Sequence, residues 1–365
     1  MNIEFHYYMT YLIAARAGFC PAEAEVVAYS SQYIDDNDLI YNITNDDGLT
    51  YSNYISQTKN ISKPKHKLFR IYPIFHFVPG DPLADSARRR DGKLHLLNTT
   101  ADSKNARRIL KSALQTDNLY KIGLAVHSFA DTFAHQNFVG YYDEFNIVKS
   151  LQKKVNSFFD RSVYAVGHAA ADIRPDICNL VWEDPRLCNS NAERDNKMIF
   201  LKAAERVFEE LKNYQNPDLK AAELKEEKDG LLSDLKTAIG RRTEHPEIFK
   251  INTPAERIER FRRLSLKKEY GGRKLKKYNI SDWFNELIEF DLKVLKIDNS
   301  SAWQRLFLDY FSNYFSFIKN SCSWKKKDFK ESHWYQFQEA VKEMQAEIIN
   351  QLEPKVFSKL ELENW

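Results

Sequence analysis

The stretch Lys121-Ile-Gly-Leu-Ala-Val-His127-Ser-Phe-Ala-Asp131-Thr-Phe-Ala-His135 repeats its apolar residues on a helical period and sets two histidines and an aspartate four residues apart. The pattern predicts a helix over 117–138, ended by Gly140. On an α-helix, residues four apart differ by ~40° around the axis and ~6 Å along it. His127 and Asp131 can therefore reach one metal ion, and Asp131 and His135 another. The two histidines stand ~12 Å apart axially, too far to share one ion easily. A carboxylate bridging two neighbouring ions fits that geometry.

Helical signals extend outward in both directions. A first helix is expected over 4–17, ended by Gly18, and a second from Pro21 to about residue 35, with Glu23 and Glu25 in its opening turns. Residues 36–102 turn to Asn, Asp, Ser, Thr, Lys, Pro and Gly, a long irregular excursion of the kind usually kept for function. Further helices are expected over 102–114, 145–168, 197–211, 281–296, 301–319 and 331–352. Thr253-Pro254-Ala255-Glu256 is a capping box with proline at the first helical position. The fold class is all-α: a multi-helix bundle. Residues 1–195 read as a metal-binding catalytic helical domain that includes the irregular loop 36–102, and 196–365 as a C-terminal helical extension packing on it.

Bulk properties narrow the function. The 365 residues, 43% hydrophobic and 13% aromatic, suffice for a substantial core. The 54 basic residues nearly balance 51 acidic ones, which argues against a general polybasic nucleic-acid coat. Eleven glycines and eleven prolines suit a helix-rich chain. Cys20, Cys178, Cys188 and Cys322 have no Cys-x-x-Cys spacing, which excludes a thiolate metal site. The N-terminus carries no signal-peptide pattern and no apolar run approaches the ~20 residues of a membrane span, so the cytoplasm is the expected location and no transmembrane segment is expected.

A second pair, His168-Ala-Ala-Ala-Asp172, repeats the four-residue spacing. His6 lies in the aromatic first helix, Asp35 and Asp36 end the second, and His76 lies in the apolar run Arg70-Ile-Tyr-Pro-Ile-Phe-His-Phe-Val78. A lone histidine such as His6 or His76 is more often a core residue than a ligand; three linked ligands plus a second pair favour metal. Imidazole with carboxylate suits zinc, manganese or iron.

The order His6, Asp35, His76, His127-x-x-x-Asp131, His135, His168-x-x-x-Asp172 resembles the ligand order of the zinc-dependent phospholipase C and S1/P1 nuclease superfamily, all-α proteins that hydrolyse phosphate esters at a three-zinc cluster. The resemblance covers about residues 1–175. It implies that Asp35, His76, His127 and Asp131 hold one ion, that His135, His168 and Asp172 hold a second, and that His6 with bridging Asp131 contributes to a third. Secreted members begin with a tryptophan whose amine and carbonyl bind the third zinc. This chain opens Met-Asn-Ile-Glu, so Asp36 or Glu4 would replace those ligands, or the centre would hold two ions. The opening FHYYMTYLIAARAGF also resembles that of uncharacterised bacterial proteins.

The function so implied is a metal-dependent phosphoesterase that attacks a phosphodiester, of a phospholipid or of a nucleic acid or nucleotide, with water activated by two or three zinc ions. Asp131 or Asp36 could take the water's proton. Arg88, Arg89 and Arg90 could grip a phosphate as a fork, although three charges on a loop are more often simply solvated. The basic, aromatic-laced stretches 267–278 and 324–330 suggest a membrane surface or a polynucleotide as partner. One alternative is an HD-type phosphohydrolase, disfavoured because the chain has no His-Asp dipeptide. Another is a non-catalytic helical scaffold or regulatory protein with structural metal.

Overall fold

The computed structural model describes residues 1–44, 50–58, 71–148, 166–188, 191–244, 253–287 and 329–352. Helices dominate, with two small antiparallel hairpins, so the chain is all-α in class. A wide-turned π segment, Glu4–Met9, runs into α1 (Thr10–Ala17), followed by α2 (Pro21–Asp36), α3 (Lys104–Leu114) and α4 (Leu119–Ala134). After the loops come α5 (Asn196–Gln215), α6 (Ala221–Ile239), α7 (Pro254–Leu264), α8 (Asp282–Leu287) and α9 (His333–Leu352).

The α4 helix sits at the centre, buried on every face. Asn118 starts it by accepting from the backbone N–H groups of Tyr120 and Lys121, and every residue from Lys121 to Ala134 is buried. It touches α2, α3, α5 and α9. Its approach to α2 is set by Gly123, where a Cβ would lie 2.4 Å from the Val27 carbonyl oxygen and 2.5 Å from the Ser30 Cβ. Only a residue without a side chain lets the two backbones come this close, one turn before His127.

Residues beyond 195 join the same core. The α5 helix lies on α1 and α4, α6 on α5, and α7 on α6 and the first π segment. One continuous apolar cluster runs from Met1 and Phe5 through Phe129 and Phe200 to Trp334 and Ile348. Trp283 and Phe284 are buried in it. A smaller cluster of Tyr72, Phe77, Phe138, Val166, Leu180 and Trp182 lies beneath the loops.

Several expected elements change at their edges. The helix expected over 117–138 stops at Ala134, which leaves His135 at its C-cap. Residues 36–102 are not wholly irregular: β1 (Asn42–Thr44) pairs with β2 (Thr50–Ser52), and Tyr72–His76 forms a second π segment. Such short pieces carry too few residues to show a period. Of the helix expected over 145–168, residues 149–165 lie outside the described residues. The described ends are single 3₁₀ turns, Glu144–Asn146 and Gly167–Ala171. The helix expected over 301–319, and most of that over 281–296, also fall outside them.

The stretch 267–278 is built into the fold. Lys267 and the Tyr270 hydroxyl bind Asp234, Arg273 binds Glu25, Lys274 binds Glu259, and Tyr270, Leu275 and Tyr278 are buried. Three of its cations, Lys267, Arg273 and Lys274, are paired with carboxylates at the surface, while Lys268, Lys276 and Lys277 are exposed. Of 324–330, residues 324–328 lie outside the described residues and Phe329 is buried. Among the described residues no helix is long and apolar enough to cross a membrane.

The first π segment is anchored by a buried ion pair. Arg257 of α7 donates through Nε to Glu4 Oε1 at 2.5 Å and through Nη2 to Oε2 at 2.8 Å, with the side chains 3% and 0% exposed. Removing one partner of such a pair leaves an uncompensated charge in the core. We predict that Arg257→Ala lowers unfolding stability by about 3–5 kcal/mol in chemical denaturation. A loss below about 1 kcal/mol, the range of exposed pairs, would show that the pair does not anchor the segment.

Candidate metal centre

Four histidines are held by the same device. His127 Nδ1 donates to the Ser31 carbonyl of α2 at 2.7 Å. His76 Nε2 donates to the Ser56 carbonyl at 3.0 Å, and His135 Nδ1 to the His76 carbonyl at 2.9 Å. His168 Nδ1 donates to the Asp172 carbonyl, also at 2.9 Å. A carbonyl oxygen can only accept, so each contact fixes one ring nitrogen as N–H and leaves the other as a lone pair. Metal-ligating imidazoles are oriented in this way.

Two of the freed nitrogens, on His127 and His76, face Asp131, and the other two, on His135 and His168, face Asp176. Asp131 Oδ2 lies 3.2 Å from His127 Nε2 and 3.5 Å from His76 Nδ1, and its Oδ1 lies 3.1 Å from His6 Nε2. The Met1 amine binds the same Oδ1 and lies 3.3 Å from Asp176 Oδ1. Asp176 reaches His135 Nε2 at 3.2 Å through Oδ1 and His168 Nε2 at 3.3 Å through Oδ2. Asp35 Oδ1 stands 3.7 Å from His76 Nδ1 and 3.8 Å from His127 Nε2.

Three ligand groups result: His6 with His127 and Asp131, Asp35 with His76 and His127, and His135 with His168 and Asp176. Within each, one donor atom per residue lies within 4.8 Å of the others. Asp131, beside the first group and reaching His76 and His135, ties the three together.

The donor set fits a cation. His76 Nδ1 and His127 Nε2 face each other at 3.2 Å, yet both rings already give their protons to carbonyls. Two lone pairs at that distance repel unless a proton on one ring or a metal ion beside them joins the two. Both ring nitrogens of His6, and Asp131 Oδ2, are buried without a hydrogen-bond partner. Orphaned buried polar atoms are costly and call for an explanation. The buried His/Asp groups could hold a metal ion, which would supply one.

Electrostatics divide across the centre. Burial lowers His6 and His135, whereas at His127 burial is outweighed by Asp131 and Asp35, which raise it above its usual range. Burial raises Asp35. Burial, with His127 and the Met1 amine adding to it, holds His6 well below its usual range despite Asp131. Burial likewise brings His135 down to about 4. Burial opposes ionisation of Asp131, but His135, the Met1 amine, His127 and His6 overcome it and hold the carboxyl well below the usual range. For the Met1 amine, burial is outweighed by Asp131, Asp176 and Asp35, which raise it to about 10.

The structure brings His6, Asp35, His76, His127, Asp131, His135 and His168 together. Asp172 is not among them. Residues 167–171 form a 3₁₀ turn, and Asp172 follows at φ 58°, in the left-handed region, so the four-residue helical spacing does not apply. Asp172 contributes its carbonyl, and Asp176 takes the carboxylate position assigned to it. Pro175 and the 3₁₀ turn Arg174–Asp176 place that carboxylate, a tertiary arrangement with no period to betray it.

The remaining candidates have other partners. Both Glu4 carboxylate oxygens are bound by Arg257. Asp36 Oδ2 accepts from the Tyr278 hydroxyl at 2.8 Å and Gln32 at 3.1 Å, and burial, with Asp35 adding to it, pushes its carboxyl up to about 6. Arg89 is buried, forks onto Asp91, donates to the Phe145 carbonyl and covers the Phe145 ring, so it is no free phosphate clamp. Arg90 donates to the Leu187 carbonyl, while Arg88 is exposed.

Comparison with known proteins adds a family and no activity. No curated protein and no solved structure matches the chain. Residues 1–352 match DUF6765, described as a family of unknown function. That match takes in the whole of the candidate centre and the helices around it, and the chain belongs to the DUF6765 family.

Proposed function

We propose that the chain is a metal-dependent phosphoesterase that hydrolyses a phosphodiester, with an active centre of the zinc-dependent phospholipase C and P1 nuclease type. The observation that carries this reading is the convergence of the oriented His127 and His76 lone pairs on a buried carboxylate, Asp131, with an unpartnered oxygen. Nitrogen and oxygen donors without thiolate suit zinc, with manganese or iron as substitutes. Asp35, His76 and His127 would hold one ion, His135, His168 and Asp176 a second, and His6 with Asp131 a third. When bound, such ions supply Lewis acidity and an acidified water, the two needs of phosphodiester hydrolysis.

The protein's own residues divide the remaining work. Asp131, 1% exposed, would hold the ligand groups in place. Asp35 and Asp176, with side chains 26% and 21% exposed, are the carboxylates of the centre open to solvent. Phe77 stacks on His135 with ring centroids 4.7 Å apart and shields one side of that ring. Gly167, at φ +57°, makes room for it: a Cβ there would lie 2.2 Å from the Phe77 ring.

A second reading, a structural centre in a non-catalytic helical protein, is favoured by the complete burial of His6 and His127. The two readings separate in one experiment. Purified wild-type protein is expected to carry two or three zinc equivalents by inductively coupled plasma mass spectrometry and to hydrolyse bis(p-nitrophenyl) phosphate. We predict that His127→Ala loses at least one equivalent and about 100-fold or more in kcat/KM. Stoichiometric metal without turnover on any phosphodiester would select the structural reading, and no metal after zinc or manganese incubation would sink both.

Asp172 and Asp176 give a sharper test. Asp176→Asn should lose metal from the His135/His168 group and about tenfold or more in activity. Asp172→Asn keeps its carbonyl and a residue type that tolerates positive φ, so metal content and rate should stay within about twofold of wild type. The opposite ranking of the two variants would return the ligand role to Asp172.

A further inference from the structure

The His76 side of the centre is gripped by residues far from it in sequence. Ser56, fully buried, is bound three ways to the end of α2. Its N–H donates to the Asn37 carbonyl at 3.1 Å, its hydroxyl donates to the Ile34 carbonyl at 3.0 Å, and that hydroxyl accepts from Asn37 Nδ2 at 3.2 Å. Its own carbonyl then receives His76 Nε2. Asp35 lies between Ile34 and Asn37 in the chain, so this knot fixes the carboxylate and the imidazole of one ligand group relative to each other.

The knot depends on which way the Asn37 amide faces. Asn37 Nδ2 must point at the Tyr54 carbonyl, 2.7 Å away, and at the Ser56 hydroxyl. A flipped amide would aim its oxygen at the Tyr54 carbonyl, acceptor against acceptor. The strongest contact on the other side of the amide comes from α9: Gln338 Nε2 donates to Asn37 Oδ1 at 2.9 Å, while Asn53 Nδ2 reaches the same oxygen only at 3.4 Å. Gln338 is 0% exposed, so no water replaces its donor. Two neighbours on α9 hold the same segment, Glu339 through the Tyr51 hydroxyl and Gln345 through the Tyr54 hydroxyl. Gln338 alone among these three binds the residue that orients Ser56.

We infer that Gln338 is a positioning residue for the Asp35/His76/His127 ligand group, acting through Asn37 and Ser56 to fix the tautomer and aim of His76. This rests on the reading that the centre holds metal. The relay runs from the last described helix to a ring nitrogen in the centre by hydrogen bonds alone: Gln338 to Asn37, Asn37 to Ser56, and His76 to Ser56. Losing its first link leaves Asn37 Oδ1 with only the long Asn53 contact, so the amide is held firmly from one side alone and the Ser56 carbonyl that sets His76 is less securely placed. Partners one step behind a ligating histidine typically change metal affinity about 10–100-fold when lost.

Zinc affinity tests the relay, measured by competition with a chromophoric chelator on the full chain. The electronic spectrum of the cobalt-substituted protein serves as a second readout. Gln338→Met keeps the bulk and removes the donor, and Gln338→Glu keeps the shape and sets an acceptor against Asn37 Oδ1, so one can stand in if the other fails to fold. Lys121→Met is the control, because it cuts α9 from α4 at Glu343 and Glu347 without touching Asn37. Both Gln338 variants should weaken one zinc site about 10–100-fold and alter the cobalt spectrum, with the His135/His168/Asp176 site unchanged. Lys121→Met should lose stability but keep wild-type affinity.

Wild-type affinity in the Gln338 variants would overturn the relay and leave the metal centre standing. Equal weakening in Lys121→Met would overturn it too, since any loosening of α9 would then suffice. A wild-type protein that binds no zinc would remove the premise, and its stoichiometry separates that failure from the other two.

Discussion

A carboxylate enclosed at the middle of the bundle is the constraint on which this structure depends. Asp131 sits on the most buried helix, and an ionised carboxylate there is untenable unless positive or donor groups surround it. Its neighbours come from every part of the first half of the chain: the Met1 amine, His6, His76, His127 and His135. The surrounding helices are arranged so that these groups arrive. Gly123 lets α4 lie on α2, the wide turns of the π segments deliver His6 and His76, and the end of α4 releases His135 to face a loop. A π turn at a functional residue is a familiar association, and two of them here carry candidate ligands.

Backbone carbonyls do as much as side chains to build the centre. Ser31, Ser56, His76 and Asp172 each lend a carbonyl to one imidazole, and three of these four oxygens belong to irregular segments or segment ends. A carbonyl outside a regular helix has no intrahelical donor and is open to a ring N–H. The described segments outside the α-helices that carry Ser56, His76 and Asp172 therefore supply orientation that a plain bundle lacks.

The sequence disclosed what is governed by local covalent spacing. His127, Asp131 and His135 could be read as a unit because one helix dictates their separation, and the capping box at Thr253 and Glu256 forms because its geometry is local. The sequence misled where distant groups decide. Three alanines between His168 and Asp172 suggest a helix, but positive φ at Gly167 and Asp172 folds that stretch into a turn, and it is Asp176 whose carboxylate reaches His168. Glu4 looked available as a ligand, and nothing near it in the chain announces Arg257. Arg89 offers a phosphate fork in the sequence, but in the fold that fork closes on Asp91. The Met1 amine among the carboxylates has no sequence signature at all.

The Glu4–Arg257 pair also has a consequence for the order of synthesis. A ribosome releases Glu4 long before Arg257, and until α7 emerges the acid has no cation to meet in the core. The first π segment, with His6 on it, cannot settle while that charge is bare. Docking of the first π segment into the core is thus tied to the arrival of Arg257 on α7, 253 residues beyond Glu4 in the chain.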